Sequence, residues 1–284
     1  MKARLAGEPM GLNIGIIGCG YVGTAVARRW REFGHSITAT TTRRDRIEEL
    51  EQVAQQVVVL QGNDSEALAS LVQNQDIILL TVGAHQSNLY RETYLDTANT
   101  LVPVLREAPR VQQLIYTSSY SVYGDQQGAW VDETTPVKPV NENSQIIDGA
   151  EQVLLSAQSD RLNVCILRLG GIYGPNRELV RILSRFAGTT RPGSGDEWSN
   201  WIHLEDIVEA IIFVCRQRCQ GIYNLVNDVP LPMRELLDRL CQQHGVEAIT
   251  WDPSLPSLRP YHARVSNQKL KRAGFELRYP ETML

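Results

Sequence analysis

Lysine is almost missing from this chain. Lys2, Lys138, Lys269 and Lys271 are the only four among 28 basic residues. Positive charge is therefore carried by arginine, a planar and permanently ionised group. No excess of positive charge exists either. The 28 basic residues face 32 acidic ones, for a net charge of -4, which leaves no overall electrostatic footprint for nucleic acid or an acidic membrane. Long apolar runs are absent, so no membrane-spanning helix is expected. Metal-binding patterns are absent too. The five histidines are scattered without H-E-x-x-H spacing. Cys215 and Cys219 are spaced to share a helix face, but no neighbouring His or Cys completes a zinc set, and no metal site is expected. The odd count of five cysteines (with Cys19, Cys165 and Cys241) predicts free, mostly buried thiols in a reducing compartment. "MKARLAGEPMG" lacks the apolar core of a signal peptide, and "LNIGIIG" reads as a strand. The expectation is a cytoplasmic protein.

What is present is a core. With 284 residues, 43% of them hydrophobic, the chain can bury one large domain or two intimate ones. Its first half alternates. "LNIGII", "SITATT", "QVVVL", "DIILLTV" and "QLIYTS" read as strands. "YVGTAVARRWREF", "RDRIEELEQVA", "SEALASLV" and "YLDTANTLVPVLREA" read as helices, the last despite Pro103. A helix around Gln145–Ala157 and the strand "NVCILRL" continue the pattern. Near-continuous Val/Ile/Leu strands separated by helices predict an α/β fold with a doubly wound parallel sheet covered on both faces. After Pro175 the texture changes, and "TTRPGSGDEWSNW" reads as loop. "LEDIVEAIIFVCRQ" and "GIYNLV" read as a helix and a strand returning to the main sheet. "MRELLDRLCQQHG" and the Pro-rich "WDPSLPSLRP" follow. The predicted division is 1–175 with 203–229 as the sheet domain, and 176–202 with 230–284 as a smaller C-terminal portion sharing a cleft with it.

"IGIIGCGYVGTAVA" places Gly18, Gly20 and Gly23 in G-x-G-x-x-G spacing, at the end of the first strand and the start of the first helix. That context is what dinucleotide binding requires. Gly18 permits a tight turn, Gly20 lets the backbone approach a pyrophosphate, and Gly23 lets helix and strand pack closely. Tyr21 and Val22 complete the turn of helix that would face the phosphates.

An NAD site usually ends its second strand with an acid that holds the ribose 2′-hydroxyl. Here that place falls at Thr41, and the next acid is Asp45. Arg43 and Arg44 lie between. Arginine binds a 2′-phosphate bidentately, where a carboxylate would repel it. NADP is therefore favoured, with NAD as the alternative.

"YTSSYSVYGD", Tyr116 to Asp125, sets hydroxyls at the end of a core strand. Such residues often do no more than bond nearby backbone. Taken with the glycine loop, the chain resembles the extended short-chain dehydrogenases/reductases, the group of NAD-dependent epimerases and dehydratases. The resemblance covers nearly the whole chain and implies a Rossmann sheet with a smaller substrate-binding part. It rests on the glycine loop, on "QGNDSEAL", on "DIILLTVG", on Ser-Ser-x-x-Val-Tyr-Gly within "YTSSYSVYGD", on "LRLGGIYGP", on the His-x-x-Asp start of "HLEDIVEAI" and on "NQKLKRAGF". Ile17 departs from it, standing where many members have a further glycine. The resemblance implies that Asp64, with Asn63 as the alternative, contacts adenine. It implies that Thr81, Val82 and Gly83 line the cofactor cleft, and that Ser119 hydrogen-bonds the reacting oxygen of the substrate.

The same resemblance requires a Tyr-x-x-x-Lys pair on the next helix, tyrosine as general acid/base and lysine as its partner. That helix reads "NENSQIIDGAEQVLL". Anchored on Glu151, Asn143 falls at the tyrosine position and Ile147 at the lysine position, and none of the four lysines follows a tyrosine by four. The chain is in this respect similar to little-characterised bacterial sugar-nucleotide epimerases. Gly171 also stands where sugar epimerases often carry a substrate-binding Asn. Substitute proton donors are Tyr120, Tyr123, Tyr173 and His203. Two functions stay open. One is an NAD(P)-dependent oxidoreductase or epimerase acting on a small molecule, with nucleotide sugars as the implied class and altered acid/base chemistry. The other is a catalytically weak NADP(H)-binding sensor or regulator. The expected partners are a small-molecule substrate or effector, with neither nucleic acid nor membrane; a homodimer is compatible with this reading.

Overall fold

A computed structural model describes residues 11–84 and 86–284. The stretch tested for a signal peptide, residues 1–10, lies outside the described residues. Along the chain run β1 (Asn13–Ile17), α1 (Tyr21–Glu32), β2 (Ser36–Thr41), α2 (Ile47–Glu51), β3 (Gln56–Val59), α3 (Ser65–Val72), β4 (Ile77–Leu80), α4 (Thr97–Arg106) and β5 (Gln113–Ser119). Next come β6 (Asp125–Val131), α5 (Glu142–Leu155), β7 (Asn163–Leu169), β8 (Gly171–Tyr173), α6 (Leu179–Leu183), β9 (Thr190–Pro192), β10 (Trp198–Ser199) and β11 (Trp201–His203). The chain ends with α7 (Leu204–Arg216), β12 (Gly221–Leu225), β13 (Leu231–Pro232), α8 (Met233–His244), β14 (Thr250–Asp252), β15 (His262–Val265) and α9 (Gln268–Arg272).

Seven strands form one parallel sheet in the order β12-β7-β5-β4-β1-β2-β3. Because β1 pairs with β2 on one side and β4 on the other, the winding reverses beside β1, the place where such sheets open a ligand crevice. The expected doubly wound α/β fold is the one found. Among the described residues no helix is long and apolar enough to cross a membrane.

The chain divides into two compact units: residues up to Ser118 with Ile146–Leu167 and Val208–Ile222, and Ser119–Gln145 with Arg168–Ile207 and Tyr223–Leu284. In the first unit, Leu68, Leu71, Leu101, Leu105, Leu114, Leu154 and Ile166 belong to one buried cluster. In the second, Leu179, Leu183, Leu236, Leu237 and Leu240 form a core, and Tyr120, Tyr123, Val131, Val226 and Val265 a smaller one.

Local differences from the sequence reading have simple causes. "TTRPGSGDEWSNW" is not all loop. It holds β9, β10 and the first residue of β11, which pair with β14, β13 and β8; such two- and three-residue strands are too short to show alternation. α7 stops at Arg216, so Cys219 lies beyond the helix and shares no face with Cys215. The helix before β5 opens as a π-helical stretch, Arg91–Asp96, before α4; the Thr97 hydroxyl donates to the Glu92 carbonyl at 3.1 Å. Pro103 sits inside α4 at an exposed position, where water can satisfy the carbonyl it strands.

One close approach fixes the loop after β3. A Cβ on Gly62 would overlap Thr97 Oγ1 and lie 2.9 Å from its Cβ and Cγ2. Thr97 is 1% exposed and held by its bond to Glu92, so it cannot give way. Gly62→Ala is expected to cost about 1–3 kcal/mol in reversible denaturant unfolding; an unchanged midpoint would show that the loop can shift away from α4.

Candidate functional site

The glycine loop carries out three separate geometric tasks. Gly18 has φ +81°, and a Cβ there would lie 2.8 Å from both Cα and Cγ1 of Val82. Only glycine meets both constraints. The turn is tied down by Gly18 N–H donating to Thr40 Oγ1 at 3.0 Å, Cys19 N–H to the Thr40 carbonyl at 2.9 Å and Gly20 N–H to the Gly18 carbonyl at 2.7 Å. Gly23 seats α1 on the sheet, since its Cβ would meet Thr81 Cγ2 at 3.0 Å and Ile16 Cγ2 at 3.2 Å. Gly20 differs from both: a Cβ there would find nothing nearer than the Gly18 carbonyl oxygen, at 4.0 Å. The space beside it is open.

Helix α1 begins at Tyr21 and Val22 with Gly20 as its N-cap, no capping side chain and no acid in its first turn. Its first N–H groups have no intrahelical acceptor, and its dipole favours an anion. Open space at Gly20 and an uncapped helix start together fit a pyrophosphate. Gly83, after β4, is open in the same way: a Cβ there would meet nothing within 4 Å. Cys19, inside the loop, is no nucleophile, because burial pushes its thiol up to about 11.

At the end of β2, Thr41 is buried, and its hydroxyl accepts the Arg43 N–H at 3.1 Å. The Arg43 guanidinium pairs with Asp45, with both side chains exposed. Arg44 opens a single 3-10 turn and is exposed. The arginine that reaches the glycine loop is Arg46. Its Nη1 donates to the Cys19 carbonyl at 2.7 Å, and its other nitrogens grip Glu49 at 3.0 and 2.7 Å. Sequence could reveal the Arg46–Glu49 spacing along a helix; the contact with Cys19, 27 residues away, has no local signal. Asp64 is exposed and caps α3, accepting the Ala67 N–H at 3.0 Å. Asn63 Nδ2 lies 3.5 Å from Glu92 Oε1.

Of the two serines ending β5, Ser118 donates to Oε1 of Glu151 at 2.5 Å. Glu151 is fully buried and Ser118 nearly so. The Ser119 hydroxyl accepts the Ser121 N–H at 3.2 Å and caps the 3-10 turn Tyr120–Tyr123. A backbone role and a chemical one are compatible at Ser119, because a hydroxyl has a second lone pair and a hydrogen to give. On α5, Asn143 is half-buried and Ile147 buried.

Three of the four substitute proton donors are engaged structurally. Tyr123 is fully buried, donates to Asn224 Oδ1 at 2.9 Å and lies under the Arg168 guanidinium at 4.8 Å; burial raises its pKa. The Tyr173 hydroxyl accepts the Met283 N–H at 3.1 Å and lies 3.4 Å from the Glu281 carbonyl, and burial raises its pKa. His203 Nδ1 accepts the Glu205 N–H at 3.2 Å, and its ring packs 3.9 Å from that of Tyr279; burial lowers its pKa. Nearby, the Asp206 carboxylate accepts the N–H groups of Arg278 and Tyr279 at 2.7 and 3.0 Å. The His-x-x-Asp start of α7 thus anchors the C-terminal segment. Tyr120 differs: Arg259 Nη2 donates to its hydroxyl oxygen at 3.2 Å. Arg259, Glu151 and Asn224 were invisible as partners in the sequence, because each contact joins distant segments.

A parallel sheet reversing beside β1, a glycine turn and an open helix start define a dinucleotide-binding α/β protein. The model of the NAD dependent epimerase/dehydratase family matches residues 14–225, and the chain belongs to that family. Protein YeeZ of Escherichia coli K12 is 30% identical over 281 residues, covering 96% of this chain and 98% of YeeZ. Among solved structures, a functionally unknown conserved protein from Silicibacter pomeroyi superposes with a TM-score of 0.77 at 23% identity, covering 95% of each chain. The dTDP-glucose 4,6-dehydratase of Bacillus anthracis, solved in complex with NAD, also gives 0.77, at 18% identity over 95% of this chain and 92% of that one.

The glycines can be separated by mutation. Gly20→Val should keep the fold, since its Cβ enters open space, but weaken dinucleotide binding by at least about tenfold, or 1.4 kcal/mol. Gly18→Val should instead destabilise the fold by about 1–3 kcal/mol through strained φ and overlap with Val82. Titration calorimetry and thermal unfolding check both; undiminished binding by Gly20→Val would place the phosphates elsewhere.

Proposed function

We propose that this protein is an NAD(P)-dependent epimerase/dehydratase-like oxidoreductase acting on a small molecule, with acid/base chemistry that does without the Tyr-x-x-x-Lys pair. The observation that carries this reading is the open side of Gly20 at an uncapped helix start. Within it, residues 1–175 and 203–229 hold the dinucleotide, and 176–202 and 230–284 bind the substrate. A bound nicotinamide supplies or accepts hydride at a substrate carbon. Gly18, Gly20, Tyr21, Val22 and Gly23 hold its pyrophosphate, Asp64 faces adenine, and Thr81, Val82 and Gly83 line its path. Ser119 offers its hydroxyl hydrogen to the reacting oxygen. A nucleotide sugar is the substrate class supported by the family and by the dehydratase among its structural neighbours.

Asn143 and Ile147 favour a second reading, a dinucleotide-binding sensor with little turnover. An amide and an alkyl chain cannot deliver a proton to a forming alkoxide, and general acid/base catalysis is worth about 10²–10⁴-fold. Slow conversion of common nucleotide sugars under saturating cofactor supports the sensor; ordinary rates abolished by Ser119→Ala support the enzyme.

The cofactor reading favours NADP over NAD. Thr41 puts no carboxylate near the 2′ position, and Arg43 and Arg44 stand beside it. The pairing of Arg43 with Asp45 is no obstacle. Exposed ion pairs contribute about 0–1 kcal/mol, whereas a hydrogen bond to a charged group contributes about 1.5–3 kcal/mol. NADPH should therefore bind more than about tenfold tighter than NADH, and Arg43→Ala with Arg44→Ala should erase the difference. Equal affinities in calorimetry refute the preference; binding of neither refutes the dinucleotide reading itself.

A further inference from the structure

A cavity of about 270 Å³ lies within the first unit, at the edge of the sheet where the parallel strands begin. Leu12 precedes β1, His35 precedes β2, and Ile77 and Gln113 open β4 and β5; all four line it. The glycine loop follows the other end of β1. The five residues of that strand separate the two places, roughly 16 Å at about 3.3 Å per residue. The apolar lining includes Trp30, Ile77 and Ile212, all buried. Protein interiors leave few voids larger than a water molecule, and a cavity of about 150 Å³ already takes a benzene-sized ring. The space here suits one ring with a short polar tail.

Arginine marks its mouth. Arg216, the last residue of α7, and Arg218 both line the cavity and are exposed. The helix closes with the paired bonds of a Schellman turn: Cys219 N–H donates to the Val214 carbonyl at 3.0 Å, and Arg218 N–H to the Cys215 carbonyl at 3.2 Å. One residue of such a turn takes positive φ, and it is usually glycine. Here it is Arg218, at φ +48°, in a region that side chains disfavour. Its guanidinium crosses to the sheet, where Nη2 donates to Gln112 Oε1 at 2.9 Å. Among the described residues no carboxylate pairs with it, so it keeps donors for an outside acceptor. The groups that would oppose an anion are already engaged. Asp76, an acid on the cavity wall, accepts Arg110 Nε at 2.8 Å on one oxygen and the Asn13 N–H at 2.7 Å on the other. The Val214 carbonyl at the helix end also accepts Gln113 Nε2 at 3.0 Å.

We propose that this cavity binds a small single-ring carboxylic acid, with its ring against Trp30, Ile77 and Ile212 and its carboxylate on Arg218, Arg216 adding positive charge. A planar guanidinium suits a carboxylate's two oxygens. An arginine where glycine would be easier for the backbone is explained by what its side chain holds. The site does not rest on the dinucleotide reading, because the cavity and the glycine loop lie at opposite ends of β1.

The test is calorimetric titration of the full chain with benzoate and, separately, with benzyl alcohol, which keeps the ring and lacks the charge. Benzoate is expected to bind saturably at one site, about fivefold tighter than benzyl alcohol, as for an exposed charge pair. Saturating NADPH should not displace it, and Gly20→Val should bind it unchanged, which keeps a failure of the dinucleotide reading distinct from a failure of this one. Arg218→Gly should hold or raise the unfolding temperature, because glycine accepts the positive φ, and should bind both probes equally. Cys215→Phe, which sets a ring into the cavity from α7, should bind neither; if it fails to fold, Arg218→Gly decides. No saturable binding of benzoate, displacement by NADPH, or a benzoate preference that survives in Arg218→Gly overturns the site. A lower unfolding temperature in Arg218→Gly overturns it as well, since the arginine would then serve the fold.

Discussion

The glycine-loop end of this protein depends on one contact: the turn after β1 touches the end of β4. Gly18 lies against the Val82 backbone, at a distance that no side chain on residue 18 would tolerate. That contact sets where α1 begins, and so where its first N–H groups point. Gly23 then holds the helix down against Thr81 and Ile16, which keeps Gly20 as the one glycine of the three with open space beside it. Arg46 secures the outer side of the turn through the Cys19 carbonyl. The loop is built from several positions, each fixed by packing, and its openness to a phosphate is what that packing leaves over.

A different constraint governs the hydroxyl-rich end of β5. Ser118 and Ser119 are adjacent, and on a strand adjacent side chains face opposite ways. One meets the buried carboxylate of Glu151; the other caps the following turn. Losing the Tyr-x-x-x-Lys pair therefore leaves the local scaffold intact. Glu151 still meets Ser118, the Val-Tyr-Gly turn still forms, and Tyr123 is still locked to Asn224. The parts that hold the region in shape are separable from the parts that move protons, so one set can persist without the other.

The shortage of lysine has structural meaning as well. Arginine does what a point charge cannot. It stacks over Phe186 and Tyr123, forks onto Glu49, and donates to a tyrosine oxygen while keeping further donors to spare. Surface pairs such as Arg43 with Asp45 contribute little to stability.

The sequence by itself determined the α/β class, most of the sheet's strands and helices, the glycine loop and the family, because these are written in local periodicity and fixed spacing. It also showed, at Asn143 and Ile147, that a required pair was missing. It did not show the short strands β9 to β11, which carry no period, or the end of α7 before Cys219. Nor could it separate Tyr120 from Tyr123, Tyr173 and His203. Only the tertiary structure decided that, because a side chain's partner lies tens to more than a hundred residues away: Asn224 for Tyr123, Met283 for Tyr173, Arg259 for Tyr120. A hydroxyl's chemistry depends on which donors and acceptors surround it, and that neighbourhood exists only once the chain has folded.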